Sequence, residues 1–309
     1  MKRFFCFLCL LLITLFLICF PEDAFLCASL GVRLWFSTLL PTLLPFLILS
    51  DILIRCHVTA YLPQSLAPVW KRLFSLSSSG ICALFTGLLC GFPMGAKTTA
   101  DLYREQKLSK EEAMYLLTFS NFPSPSFLAS YLCIHTFQNR NLIFPVFLIV
   151  YLSGFLCSLF FRIRFPFSER SAKKEASESF PFGEILDASI INSFEAITKL
   201  GGYIILFSVF QGILKKLLSG STPLLLLFCS ITELTTGIAL LKNAPWPATV
   251  LFPLLLGLTA SGGLCVTAQT KSMLTGTDLP FWPYVSGKIL CFLIAFGLSC
   301  LFVVFFQVV

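Results

Sequence analysis

Charge is scarce in this sequence. Of 309 residues, 12% are Asp, Glu, Lys or Arg and 57% are hydrophobic. A soluble domain of this length needs far more charge to clothe its surface, so a water-soluble globule is excluded. Histidine is scarcer still. His57 and His135 stand singly near the ends of apolar runs and suggest neither a metal ligand nor a catalytic base. The chain lacks an H-E-x-x-H pair, a G-x-S-x-G nucleophile turn and an Asp-rich diphosphate motif, which argues against an intramembrane enzyme. No cofactor and no nucleic-acid partner is expected.

What is abundant is apolar residues, and the mean hydropathy is +0.88. Runs close to the roughly 20 residues that span hydrocarbon recur along the whole chain. The thirteen cysteines lie almost entirely inside these runs and read as small buried hydrophobes. Cys6 and Cys9 form a C-x-x-C with no second pair or histidine beside it, too little for a metal site. Lys2-Arg3 precedes an apolar run over residues 4–20. This run is long for a signal peptide and Pro21-Glu22-Asp23 offers no A-x-A pattern, so a retained first span is expected.

Further apolar segments cover residues 30–54, 80–96, 113–137, 142–161, 190–214, 223–241, 247–269 and 284–308, with a polar linker at 162–184. Two are unlike the rest. Residues 80–96 contain Gly87, Gly91, Pro93 and Gly95, and residues 223–241 contain Thr232-Glu233-Leu234-Thr235-Thr236-Gly237. Glycine and proline loosen a helix, and a membrane carboxylate must face protein or water. Backbone breaks at membrane depth only where it is buried in protein or lines a cavity, so both segments read as re-entrant hairpins.

Basic residues support that reading. With both hairpins re-entrant and the N-terminus inside, the inner side collects Lys2, Arg3, Arg55, Lys71, Arg72, Lys97, Arg104, Lys107, Lys110, the linker cations, Lys271 and Lys288. The outer side keeps Arg33, Arg140, Lys215, Lys216 and Lys242, as the positive-inside rule requires. The expected fold is therefore an all-α polytopic membrane protein. It comprises an N-terminal span (1–29), a first repeat of span, hairpin, span and span (30–161), a cytoplasmic linker (162–186) and an inverted second repeat (187–309). Pro93 and Pro123 are thirty residues apart, and Glu233 and Gly262 twenty-nine. Each hairpin is thus followed by a helix broken at mid-depth, the pattern that points to a secondary transporter's binding site.

Four stretches then carry the chemistry. Around Gly91-Phe92-Pro93-Met94-Gly95-Ala96-Lys97, a break exposes backbone N–H groups beside Lys97 and favours an anion; the rival reading is tight packing through Gly87, Gly91 and Gly95. Glu233 is the most isolated carboxylate in the apolar chain, suited to substrate, proton or sodium, with hydroxyls from Thr235 and Thr236; its rival role is a paired structural acid. In Ser120-Asn121-Phe122-Pro123-Ser124-Pro125-Ser126, two prolines free carbonyls, and Asn121 and Ser124 are candidate ligands unless the stretch is a plain kink. Gly262 and Gly263 permit close approach, and Gln269 offers both donor and acceptor; packing is again the alternative.

Other features are plainer. Glu195 and Lys199 suit an i,i+4 pair, Asp51 sits at a span end, and Trp35, Trp246 and Trp282 suit interfacial belts. Ser109 reads as a helix cap with Glu112 three residues on.

In their order and spacing, several of these motifs resemble the YlbJ-type sporulation integral membrane proteins, a branch of the nucleoside-recognition (Gate) superfamily. They are residues 41–46, Gly91 to Lys97, Ser120-Asn121 with Ser124-Pro125, residues 201–207, Glu233 to Gly237, and Gly262-Gly263-Leu264 through Ala268-Gln269. The resemblance implies an inverted-repeat carrier in a bacterial cell membrane, the mother-cell-derived forespore membrane during sporulation. It also implies delivery of dipicolinate, a small planar dicarboxylate that suits Lys97. The partners expected are the bilayer, an organic anion or nucleoside-like solute, and a coupling proton or sodium ion. The alternatives are a nucleoside-type carrier and a non-transporting structural protein of spore maturation. The expected binding residues are Gly91, Pro93, Gly95, Lys97, Asn121, Ser124, Glu233, Thr235, Thr236, Gly262, Gly263 and Gln269.

Overall fold

The computed structural model describes residues 2–56, 73–165, 181–217 and 222–306. His57, Lys71, Arg72 and most of the central linker lie outside these residues. All regular elements among the described residues are helical. The chain opens with α1 (Lys2–Cys19), which turns into α2 (Pro21–Leu34), and the two axes differ by 112°. A π-helical turn, Trp35–Leu39, carries α2 into α3 (Leu40–Arg55). The helix holding the second apolar run therefore begins at Pro21, a residue suited to a first helical turn because its missing N–H would be unpaired there anyway.

Next come α4 (Ser78–Cys90) and α5 (Met94–Arg104). At 1.5 Å per residue α4 is about 20 Å long, too short for roughly 30 Å of hydrocarbon. The pair folds back on itself instead. A Cβ on Gly87 would lie 3.0 Å from the Gly95 Cα, and Cβ atoms on Gly87 and Gly95 would fall 1.8 and 2.1 Å from the Ser120 carbonyl oxygen. Only glycine fits that double approach. Ser77 caps α4 by accepting from the Gly80 N–H at 3.1 Å, while the buried Glu112 carboxylate accepts from the Ser77 N–H at 2.7 Å.

Then follow α6 (Lys110–Phe119), an irregular stretch, the π-helical α7 (Phe127–Thr136) and the straight α8 (Ile143–Arg164). Ser109 does cap α6, accepting from the Glu112 N–H at 3.1 Å, but the Glu112 side chain serves the neighbouring hairpin. After the linker, α9 (Phe182–Leu217) runs for 36 residues. A second hairpin, α10 (Thr222–Thr232) and α11 (Leu234–Lys242), folds back so closely that a Cβ on Gly237 would lie 2.3 Å from the Ser230 Cα. The chain continues as α12 (Ala248–Ser261) and α13 (Gly263–Met273), a 26-residue apolar helix interrupted at Gly262, and then α14 (Trp282–Phe306). Long helix, hairpin, interrupted helix and straight helix thus occur in that order twice.

Four described helices are long and apolar enough to cross a membrane, and α1 with the bent helix that follows it passes the same test only when the two are taken together. The chain is a multi-pass membrane protein. Its outward faces are apolar, as lipid demands: Ile163 is 87% exposed, Phe305 76% and Phe144 75%. Inside, α14 packs along α12, α8 and α6, and α9 packs along α2, α3 and α10. Two groups of long-range polar contacts lie near helix ends. Lys216 pairs with Asp23 at 2.6 Å, and Lys242 donates to the His135 carbonyl at 2.9 Å. In the other group Arg104 donates to the carbonyls of Met273 and Thr275, and Lys110 and Tyr103 both reach Asp278. Each contact joins residues that the charge asymmetry assigns to one side.

One basic residue does not follow that assignment. Lys288, counted above with the inner charges, is 6% exposed. It lies six residues inside α14, about 9 Å along the axis, and bonds inward instead of reaching for water.

Candidate functional site

The four interrupted segments meet. They line a cavity open at its mouth, with about 520 Å³ of free space when the solvent in that mouth is included. The first hairpin contributes Gly91 and Phe92, and the α6–α7 break contributes Pro123 and Ser124. The second hairpin contributes Glu233 and Thr235, and α13 contributes Cys265 and Gln269. Apolar side chains of α3 and α9, among them Leu43 and Ile204, close the remaining wall.

Glu233 is held by the start of the helix that follows it. Its backbone is extended, at φ −138° and ψ 121°, and its carboxylate caps α11. One oxygen accepts from the Thr235 N–H at 3.1 Å and the Thr235 hydroxyl at 2.5 Å, and the other accepts from the Thr236 N–H at 2.7 Å. The residue is 4% exposed, so these bonds and the positive end of the helix dipole replace water around a negative charge. The Thr236 hydroxyl lies 2.7 Å from Glu233 Oε2 and 2.6 Å from Gln211 Oε1, with one hydrogen to give. Gln211 Nε2 donates to the carbonyls of Cys229 at 2.7 Å and Glu233 at 3.3 Å, and the Tyr131 hydroxyl donates to the Thr235 carbonyl at 2.6 Å.

The other lining groups are neutral. Ser124 accepts from the Phe127 N–H at 3.2 Å and lies against Gly91, where a Cβ would fall 2.7 Å from the Ser124 nitrogen. Gln269 donates to Cys265 Sγ at 3.3 Å, while its buried Oε1 has no partner among the described residues. A buried acceptor left open beside a cavity is a place for a donor to bind. The lining carries one carboxylate and no basic side chain.

Of the residues nominated from sequence, Gly91, Ser124, Glu233, Thr235 and Gln269 line the cavity. The others lie behind it or away from it. Lys97 is partly exposed and pairs with Asp101 at 3.2 Å, because a residue one turn into α5 has already rotated away from the break. Pro93 precedes α5 and Gly95 packs on Ser120. Asn121 is fully buried, its Oδ1 accepting from the Ala96 N–H at 3.3 Å and its Nδ2 donating to Thr270 at 3.0 Å. Thr236 supports Glu233 from behind. Gly262, at φ +85°, leaves room for the Phe92 ring, which a Cβ there would approach to 3.1 Å; Gly263 is left-handed too, at φ +73°. Sequence reasoning missed Gln211, Tyr131 and Lys288. Gln211 and Lys288 were legible as polar residues within apolar runs, each close to one end; Tyr131 carried no such signal.

Comparison with known proteins fits this arrangement. Residues 36–136 match the model of the Gate family, described as nucleoside recognition, a stretch that holds the first hairpin and the first broken helix. The chain is 28% identical to the sporulation integral membrane protein YlbJ of Bacillus subtilis (strain 168), over 91% of this chain and 78% of that protein. Both bear out the resemblance read from the motifs. No solved structure matches.

Proposed function

We propose that this protein is a secondary carrier that moves a small polar solute through the cavity by alternating access, working in sporulation as its relative's name indicates. The observation that carries the reading is the cavity itself. Four backbone interruptions, two in each half of the chain, meet around a cavity lined by one carboxylate and an unpartnered amide oxygen. Polar groups are costly in a membrane and gather where solutes pass. The twice-repeated order of elements is what an inverted pair of repeats would give, with the two halves rocking about the site.

The solute is a small organic anion, dipicolinate in a spore-forming cell. Since the lining holds Glu233 and no base, such an anion enters together with a proton or sodium ion taken up at Glu233. Otherwise two negative charges would share one low-dielectric space. A nucleoside-like solute is the second reading, favoured by the same lone carboxylate, which suits hydroxyl and amine donors. Nothing in this reading asks for bond-making chemistry, so the protein is a carrier rather than an enzyme.

Uptake by the purified chain in liposomes tests this, with labelled dipicolinate and labelled uridine and with imposed proton or sodium gradients. Wild-type protein accumulates one of the two. Glu233→Gln and the cavity-filling Ser124→Leu lower that uptake about tenfold or more, the effect of one lost charge-assisted contact, while Lys97→Ala transports normally. If neither solute moves, and the polar variants still support spore maturation in a Bacillus subtilis strain lacking YlbJ while changes in the 162–184 linker do not, the protein is a structural partner and the carrier reading fails.

A further inference from the structure

Lys288 has no place in the function just described, yet it sits at a junction of the fold. Its ammonium donates to the Asn121 carbonyl, and to the Ala260 carbonyl at 3.1 Å. It also lies 4.6 Å from the centroid of the Phe92 ring. Each contact belongs to a different interruption. In an unbroken helix the Asn121 carbonyl would take the N–H of residue 125, but residue 125 is proline and has none. Ala260 lies two residues before Gly262, where α12 ends. Phe92 lies between α4 and α5 and lines the cavity.

Among the described residues no carboxylate pairs with Lys288. A buried cation without a counter-ion is costly. Here its partners are the negative ends of two helices and the face of an aromatic ring, three groups that attract positive charge. In secondary transporters, carbonyls freed by unwound helices hold the coupling cation. Here the chain supplies a cation of its own at such a place.

We infer that Lys288 is a positioning residue, a built-in cation that fastens three of the four interrupted segments together and keeps the wall behind Phe92 closed. One end of the fastening lies in the first half of the chain, at Phe92 and Asn121, and the other in the second half, at Ala260. Loss of the ammonium frees two carbonyls and one ring at once, so the cavity opens on that side. The inference stands apart from the identity of the solute, and its test needs none.

The reporter is Cys265, which lines the cavity and is 1% exposed, with the fully buried core residue Cys133 as the folding control. Purified full-length protein is labelled with N-ethylmaleimide and each cysteine is followed by peptide mass spectrometry. Lys288→Met keeps the side-chain volume and removes the charge. With Cys133 still protected, labelling of Cys265 rises about ten- to a hundredfold, the range set by losing a charge-assisted hydrogen bond. Wild-type labelling of Cys265 in a folded Met variant would overturn the inference, since volume alone would then suffice. Should the Met variant expose Cys133 as well, Lys288→Ala decides. Methylammonium, a cation that fits the vacated space, restores protection of both cysteines if charge is what holds the breaks. If methylammonium restores nothing, the fastening role is wrong.

Discussion

Replacing Glu233 separates the two roles of its carboxylate, cap of α11 and wall of the cavity. In Glu233→Ala, the N–H groups of Thr235 and Thr236 lose their acceptor, a capping loss of about 0.5–2 kcal/mol. The Thr235 hydroxyl loses a 2.5 Å bond, and the Thr236 hydroxyl keeps only Gln211. These add about 0.5–1.5 kcal/mol each. The sum is about 1.5–5 kcal/mol, toward the upper end because the site is 4% exposed and water cannot replace the lost partners. Glu233→Gln retains one acceptor oxygen and turns an amide donor toward the other donors, for roughly half that loss. Glu233→Asp is a better cap in general and remains within about 1 kcal/mol of wild type, although it withdraws the carboxylate from the cavity by one methylene. Thermal unfolding in detergent, followed by tryptophan fluorescence, reads the order. At about 2 °C per kcal/mol for a chain of this size, Ala melts about 3–10 °C below wild type, Gln in between, and Asp close to wild type. Uptake gives a different order, with Asp impaired despite its stability. An Ala variant melting with wild type would refute the capping argument, and an Asp variant transporting normally would remove the carboxylate's position from the mechanism.

Three further outcomes follow from the packing. Glu112→Gln leaves an amide oxygen to accept from the Ser77 N–H, which in the wild type donates to the carboxylate at 2.7 Å, and lowers stability by about 1 kcal/mol, the difference between a hydrogen bond to a charged and to a neutral acceptor, measured by the same melts. Gly87→Ala places a Cβ 1.8 Å from the Ser120 carbonyl and costs about 3 kcal/mol or more as the hairpin and the α6–α7 break are forced apart; its signature is a low yield of folded protein. Asp278, in the loop before α14, has its carboxyl held below the usual range by the Lys110 ammonium and the Tyr103 hydroxyl. For an acid lowered by folding, the stabilisation is complete above its ordinary value and is lost as pH falls through the folded one. Wild-type protein therefore keeps this staple at neutral pH and loses it only below the ordinary aspartate range, whereas Asp278→Asn removes that part of the acid-side decline in melting temperature.

The four long apolar helices, both helix hairpins and the meeting of four broken segments were legible because each rests on a local rule; the expected spans at 30–54 and 113–137 are broken or shorter helices. Apolar runs report membrane depth, prolines and glycines report breaks, and Glu233 stood out as an acid with no business in lipid. What was not legible depends on direction. Lys97 adjoins the first break in sequence, but α5 turns its side chain toward Asp101. Glu112 follows Ser109 at the spacing of a reciprocal cap, yet it finds a better donor at Ser77, thirty-five residues earlier in the chain. Counting charges put Lys288 on the wet side, since it lies near the end of an apolar run. Only the meeting of Asn121, Ala260 and Phe92 around it explains why it does not reach for water.

These placements obey a common rule. An interruption within a membrane helix creates two kinds of unsatisfied backbone, N–H groups at a new start and carbonyls at a new end. The chain meets each with a charge of the right sign. The Glu233 carboxylate takes the N–H groups opening α11, and the Lys288 ammonium takes carbonyls left by the α6–α7 and α12–α13 breaks. Neither charge needs the other, and among the described residues no ion pair joins them. That explains how so apolar a chain tolerates an acid and a base at depth: each is offset by helix ends and hydrogen bonds rather than by a counter-ion. It also gives the two charges unequal freedom. Glu233 faces the cavity and can respond to what enters, whereas Lys288 stands behind Phe92 and responds only if the breaks themselves move.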